Sequence, residues 1–148
     1  IKAMQSALDA ANVMSKIVAP HSGMLRTADG SQIKADENFS TTASVVFDAV
    51  YVPGGKDSVE TLKKKGAAVH FVKEAFKHYK AVAATGEAVD LLSGLPGISL
   101  AAEDGKVVSD NGTITARVIN TSFGDKVKDA IGVAEGADVD ARAAGVAG

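Results

Sequence analysis

The residues with the strongest claim to chemistry stand together at Ala84-Thr85-Gly86-Glu87. They follow Ala81 to Ala84, a short apolar run of the kind a parallel sheet buries on both faces. They lead into Glu87 to Leu92, where Ala88, Leu91 and Leu92 share one side of a helix. Only Thr85 and Gly86 lie between strand and helix. A strand that turns this sharply into a helix holds its turn residue above the sheet, beside the positive helix N-terminus; many α/β enzymes stand a Ser or Cys nucleophile there. Here Gly86 has no side chain to react, and the chain contains no cysteine. The expectation is a vestigial elbow, with catalytic architecture but no catalytic atom. Thr85 is the one hydroxyl at the turn. As a nucleophile it needs a base within hydrogen-bond reach, yet His70 and His78 fall in the preceding helix, away from the carboxyl edge of the sheet. A threonine that satisfies backbone groups at a tight turn is the simpler reading. Glu87, in the first helical turn, gains about 0.3–1 kcal/mol from the macrodipole, which accounts for it without a role as catalytic acid.

The other candidates are weaker. Pro53-Gly54-Gly55 closes a strand and is the expected rim of any pocket over the elbow, since open α/β sheets bind ligands at their carboxyl edge. With Lys56-Asp57-Ser58 it has some of the composition of a phosphate loop, but neither G-x-x-x-x-G-K-[ST] nor G-x-G-x-x-G is present. His21, His70 and His78 have no metal-ligand spacing, so no metal is expected. Lys63-Lys64-Lys65 suits a solvated helix end. A net charge of −2 and a pI near 5.9 leave no electrostatic footprint for nucleic acid or an anionic membrane. No apolar run reaches membrane-spanning length, and no signal-peptide pattern is visible, so no compartment is assigned. The absence of cysteine excludes disulfides and thiol chemistry.

The elements that must position the elbow alternate along the chain. Ile1 to Asn12 has helical spacing, with Ile1, Met4, Leu8 and Ala11 on one side. Lys16 to Ala19 is a short strand closed by Pro20. Met24 to Lys34 is a hairpin about Asp29-Gly30, and Ser40 to Thr42 cap a short helical turn. Phe47 to Val52 is a strand. Asp57, with Glu60 three residues on, caps a helix to Lys65 that Gly66 ends. Ala67 to Tyr79 is a second helix, with Val69, Val72, Ala75, Phe76 and Tyr79 inward. Ile98 to Leu100 reads as a further parallel strand. Lys106 to Val108 and Thr113 to Ala116 bracket a second hairpin turn at Asn111-Gly112. Ser122 caps a last helix from Phe123 to Val133. This pattern predicts one α/β domain over residues 1–133: a doubly wound, mainly parallel sheet with helices on both faces and small hairpin decorations. Residues 134–148 read as an Ala/Gly-rich C-terminal tail. A doubly wound sheet has a central first strand, whereas this chain opens on a helix. The expectation is that the first central strand is missing from the chain and lies upstream.

Three stretches together carry a resemblance. They are Phe47 to Gly55, Ala83 to Ala88 with Leu91-Leu92, and Thr113 to Ala116 with Thr121-Ser122-Phe123. Their order resembles the PfpI-type, class I glutamine amidotransferase-like superfamily, which has a flavodoxin-like fold. Within it the likeness is strongest to the C-terminal domain of large-subunit haem catalases, carried by Phe39 to Thr42, Phe47 to Val50 and Ala83 to Glu87. Enzymatic relatives place Cys at the position of Gly86 and often His at that of Glu87; this sequence departs from both, as catalase accessory domains do. The resemblance implies a non-catalytic accessory domain whose parent dismutes hydrogen peroxide. It implies no cofactor in this stretch, with haem in the parent's preceding domain. The implied partners are that haem domain, other subunits of a homotetramer and unfolded client proteins of a holdase-like chaperone. The alternative is a PfpI-type hydrolase or glyoxalase with a non-cysteine nucleophile; a flavin binder lacks its phosphate loop.

Overall fold

A computed structural model describes residues 1–27, 29–103, 105–118, 120–131 and 142–146. Helix α1 (Lys2–Ala10) leads through a tight turn at Asn12 into β1 (Met14–Ala19). A hairpin of β2 (Gly23–Arg26) and β3 (Gln32–Ala35) forms a separate two-stranded sheet. The two-residue strand β4 (Glu37–Asn38) and a 3₁₀ turn (Ser44–Val46) precede β5 (Ala49–Val52). Helices α2 (Lys56–Lys64) and α3 (Gly66–Lys77) follow, then β6 (Ala81–Thr85) and a 3₁₀ helix (Gly86–Gly94). Strands β7 (Val108–Asp110) and β8 (Thr113–Ala116), helix α4 (Thr121–Ile131) and β9 (Arg142–Val146) complete the order.

Among the described residues the main sheet has seven strands in the order β4-β1-β9-β5-β6-β8-β7. All neighbours are parallel except β7 against β8. This is the α/β, flavodoxin-like architecture expected from the alternation of strands and helices. Strands β5 and β6 are buried along their whole length, as their unbroken apolar runs require of a sheet covered on both faces. On one face α2, α3 and the 3₁₀ helix bury Val59, Leu62, Phe71, Val72 and Leu92 against Val50, Val52 and Val82. On the other, Leu8 of α1 meets Val13, Ala49 and Ala81, and Phe123 and Val127 of α4 meet Tyr51, Ala83 and Ile114.

The structure departs from expectation at several points. The stretch 134–148, expected as a tail, contributes Arg142–Val146 to the sheet as β9, between β1 and β5; 134–141 and 147–148 lie outside the described residues. The expectation places the first central strand upstream of this chain; within this chain β9 lies between β1 and β5. The inner edges of β1 and β5 carry backbone donors and acceptors that need a partner, and β9 supplies it. The second hairpin delivers β8 into the main sheet beside β6. Ile98 to Leu100 is not a strand: side chains satisfy its backbone instead, with the Ser99 N–H donating to Asp110 Oδ2 at 2.7 Å and the Ala101 N–H to Thr115 Oγ1 at 2.9 Å. Helix α2 starts at Lys56 without a side-chain cap, and Gly66 opens α3. Asn120, not Ser122, caps α4, its Oδ1 accepting the Phe123 N–H at 3.0 Å.

Candidate functional site

Three parallel neighbours, β5, β6 and β8, end side by side, and the register pairs Val52 with Ala84 and Thr85 with Ala116. Their carboxyl ends therefore bring Tyr51, Thr85 and Arg117 to one edge. Each apolar run ends at or next to a polar residue because the sheet interior ends there. Ala84, buried, is packed into the core below. Gly86 follows with φ +56 and opens the 3₁₀ helix. The positive φ is the backbone conformation an elbow needs, and glycine reaches it without strain.

The rim and the elbow touch. Pro53 is buried, and a Cβ built on Gly54 would lie 2.9 Å from the Thr85 carbonyl oxygen, 3.2 Å from Glu87 Oε2 and 3.3 Å from Gly86 Cα. Gly54 is therefore required for the close approach of the two loops. Polar contacts then hold them. The Gly54 N–H donates to Thr85 Oγ1 at 3.2 Å, and the Thr85 and Tyr51 hydroxyls share a hydrogen bond of 2.9 Å. The Gly55 N–H donates to Glu87 Oε2 at 2.9 Å. That bond, followed by the bond from Glu87's own N–H, holds the exposed Glu87 carboxyl below the usual carboxylate range. From the other side Arg117 donates to the Gly86 carbonyl at 3.3 Å, the Ala101 carbonyl at 3.2 Å and Asp90 Oδ1 at 2.8 Å.

The polar atoms of this arrangement are spent on positioning backbone. Thr85 is buried and its hydroxyl serves Gly54 and Tyr51. Burial pushes the Tyr51 phenol up, with the Thr85 bond opposing, so at neutral pH Tyr51 is uncharged and no base. Glu87 binds Gly55 rather than Thr85. His21, His70 and His78 are all exposed. His78 follows the last residue of α3, at the opposite edge of the sheet from Thr85, and faces Glu74 at 3.4 Å. The chain has no cysteine, its histidines are on the surface, and among the described residues no group of three His, Cys, Asp or Glu could hold a metal ion. The structure brings Ala84, Thr85, Gly86 and Glu87 together with Pro53, Gly54 and Gly55. It adds Tyr51 and Arg117, which sequence reasoning missed. Their signal was a polar residue at or just past the end of an apolar strand.

A family model described as the C-terminal domain found in long catalases matches residues 1–135. Catalase-1 of Neurospora crassa is 35% identical over 136 residues, covering 89% of this chain and 18% of that protein. Catalase HPII of Mycobacterium avium is 42% identical over 103 residues, covering 69% of this chain and 15% of that protein. The chain thus spans less than a fifth of these relatives. Among solved structures, a two-domain protein of Anabaena variabilis with DJ-1/ThiJ/PfpI-like and ferritin-like domains superposes with a TM-score of 0.79 at 22% identity, covering 87% of this chain and 43% of that one. At that identity the likeness speaks for the fold alone.

Proposed function

The chain belongs to the family of C-terminal domains found in long catalases, and on that premise we propose that it is a non-catalytic accessory domain of a haem catalase. The parent dismutes hydrogen peroxide at a haem held elsewhere in its chain, and this domain stabilises the parent's homotetramer. The observation that carries the reading is the elbow itself. Its apex is Gly86, and Thr85, Tyr51, Glu87 and Arg117 spend their polar atoms on tying loops together. Such a site supports a rigid structural module. It gives little to the alternative, a hydrolase or glyoxalase working through Thr85, because no base faces that hydroxyl among the described residues.

The test is made on the full-length parent, with and without this domain. Removal should leave peroxide turnover per haem largely intact while the tetramer dissociates at lower temperature, read by size-exclusion chromatography and heat inactivation. Unchanged dissociation overturns the stabilising role. Turnover of a ketoaldehyde by the intact protein, abolished by Thr85→Val, overturns the non-catalytic one. The holdase-like activity is the finer part of the proposal. Among the described residues, Met14, Met24, Val45, Val46, Tyr79 and Val118 are the large exposed apolar side chains it has to work with. The intact catalase should suppress light scattering from a heat-aggregating client at stoichiometric amounts more than the truncated one does.

A further inference from the structure

The parallel strands β1, β9, β5, β6 and β8 all start at one edge of the main sheet, opposite the elbow. The turns that enter them lie side by side there. The Ala81 N–H donates to the Asp48 carbonyl at 3.2 Å and the Val82 N–H to the Gly112 carbonyl at 2.9 Å. A Cβ built on Gly112 would lie 4.0 Å from the Lys80 carbonyl oxygen. This amino edge gathers four of the six large exposed apolar side chains among the described residues. Met14 opens β1, on the side of the strand that Val18 turns toward α3. Val45 and Val46 stand in the 3₁₀ turn that leads into β5, and Tyr79 stands two residues ahead of β6. Strands β1, β9, β5 and β6 are consecutive in the sheet, so the patch spans about 14 Å at a strand spacing of about 4.8 Å.

Within this patch Tyr79 is held against its own backbone preference. It is 95% exposed and has φ +59. Helix α3 ends in a Schellman motif, with the Lys80 N–H donating to the Ala75 carbonyl at 2.9 Å and the Tyr79 N–H to the Phe76 carbonyl at 3.0 Å. The motif puts Tyr79 in the left-handed region, where glycine is usual and a bulky side chain is strained. The other non-glycine residues with positive φ, Asn12 and Asn111, are of the type that tolerates it. Tyr79 thus carries strain and buries almost nothing within the domain. An outlier of that kind points to a function, and tyrosine is among the residues that most often anchor protein interfaces. We propose that the amino edge is the face by which this domain docks on the remainder of the long catalase chain, with Tyr79 as the anchor, seated in an apolar recess bordered by carboxylates. This rests on the reading of the chain as an accessory domain. The matched stretch is 18% of Catalase-1, so the remainder is a larger body that can cover such a face. The border follows from charge. Lys77, His78 and Lys80 adjoin Tyr79, and among the described residues Glu74 is the one carboxylate in ion-pair reach of them, 3.7 Å from Lys77 and 3.4 Å from His78. The opposite edge is closed on itself by the bonds of Gly54, Gly55 and Arg117.

The experiment uses the full-length parent. Tetranitromethane nitrates exposed tyrosines, and peptide mass reads position 79. In the intact parent Tyr79 should react at least about tenfold more slowly than N-acetyltyrosine amide, the ratio for a face uncovered less than about a tenth of the time. Nitration at the rate of the free amide overturns the proposal. Substitution separates an anchor from a strained surface residue. Tyr79→Gly and Tyr79→Asn both relax the turn and so keep the fold, but both remove the aromatic ring. In either variant the Met14 thioether should be oxidised by chloramine-T at least about tenfold faster than in the native parent, as the docked fraction falls. Tyr79→Phe should leave Met14 protected. Met14 reactivity that Gly and Asn leave unchanged overturns the proposal. With p-benzoylphenylalanine in place of Tyr79, irradiation should join this domain to a peptide of the parent outside it. A cross-link to another copy of this domain overturns the choice of partner. None of these readouts depends on tetramer dissociation, so a truncation that leaves dissociation unchanged would defeat the stabilising role while a protected Tyr79 still supports the docking face.

Discussion

Thr85 ties the Gly54 rim to the elbow and to Tyr51. Its hydroxyl accepts from Gly54 and pairs with Tyr51, in a buried setting where a lost partner leaves a polar group stranded. Thr85→Val keeps the shape and removes both bonds. It should cost about 1–3 kcal/mol in urea unfolding, and Thr85→Ser should recover most of that. The Tyr51 phenol, already pushed up by burial, should titrate higher still once the Thr85 bond is gone; ultraviolet titration in a Tyr79→Phe background reads it. Glu87 gives a second residue-level prediction. Its folded pKa is depressed by the Gly55 N–H, so its contribution is present above the ordinary carboxylate value and fades as pH falls through the folded one. The stability difference between the native chain and Glu87→Gln should therefore close on acidification. A gap that widens instead would assign the depression to another group. Position 86 was legible from sequence because a sharp strand-to-helix turn calls for a positive φ. Tyr51 and Arg117 were not, because their partners lie 34 and 31 residues away along the chain and are set by strand register.

Among the elements, periodicity told most where burial was uniform. The apolar runs of β5 and β6 announce strands; of the α3 face expected from Val69, Val72, Ala75, Phe76 and Tyr79, Val72 and Ala75 are buried, Ala68 and Phe71 join them, and Tyr79 lies exposed past the helix end. Element ends were less legible, because caps compete locally. Ser122 and Asn120 both offer a side-chain oxygen, and only the path of the chain out of β8 decides that Asn120 meets the Phe123 N–H. Asn120→Ala should cost about 1 kcal/mol, the usual worth of such a cap, while Ser122→Ala should cost little; thermal melts of the two variants separate them. Ile98 to Leu100 was misjudged for a related reason. A short aliphatic stretch looks like a strand, but Asp110 and Thr115 take the backbone donors of Ser99 and Ala101 that a ladder would use.

On the scale of the molecule, sheet order follows from chain alternation plus one event that composition hid. The segment Arg142–Val146 is rich in Ala and Gly, and its strand identity comes from the two open edges it joins. A sheet so completed transmits load between its faces, because every helix packs on strands that are themselves paired. Leu62 of α2 and Phe123 of α4 are fully buried on opposite faces and share no cluster. Leu62→Ala should cost about 2–5 kcal/mol and Phe123→Ala about 3–5 kcal/mol. With no shared partner the two costs should add to within about 0.5 kcal/mol. Each variant should still unfold in one transition by both fluorescence and circular dichroism, since a domain of this size loses its core all at once. Two separated transitions in either variant would mean that the faces melt independently, and that the central strand does not couple them.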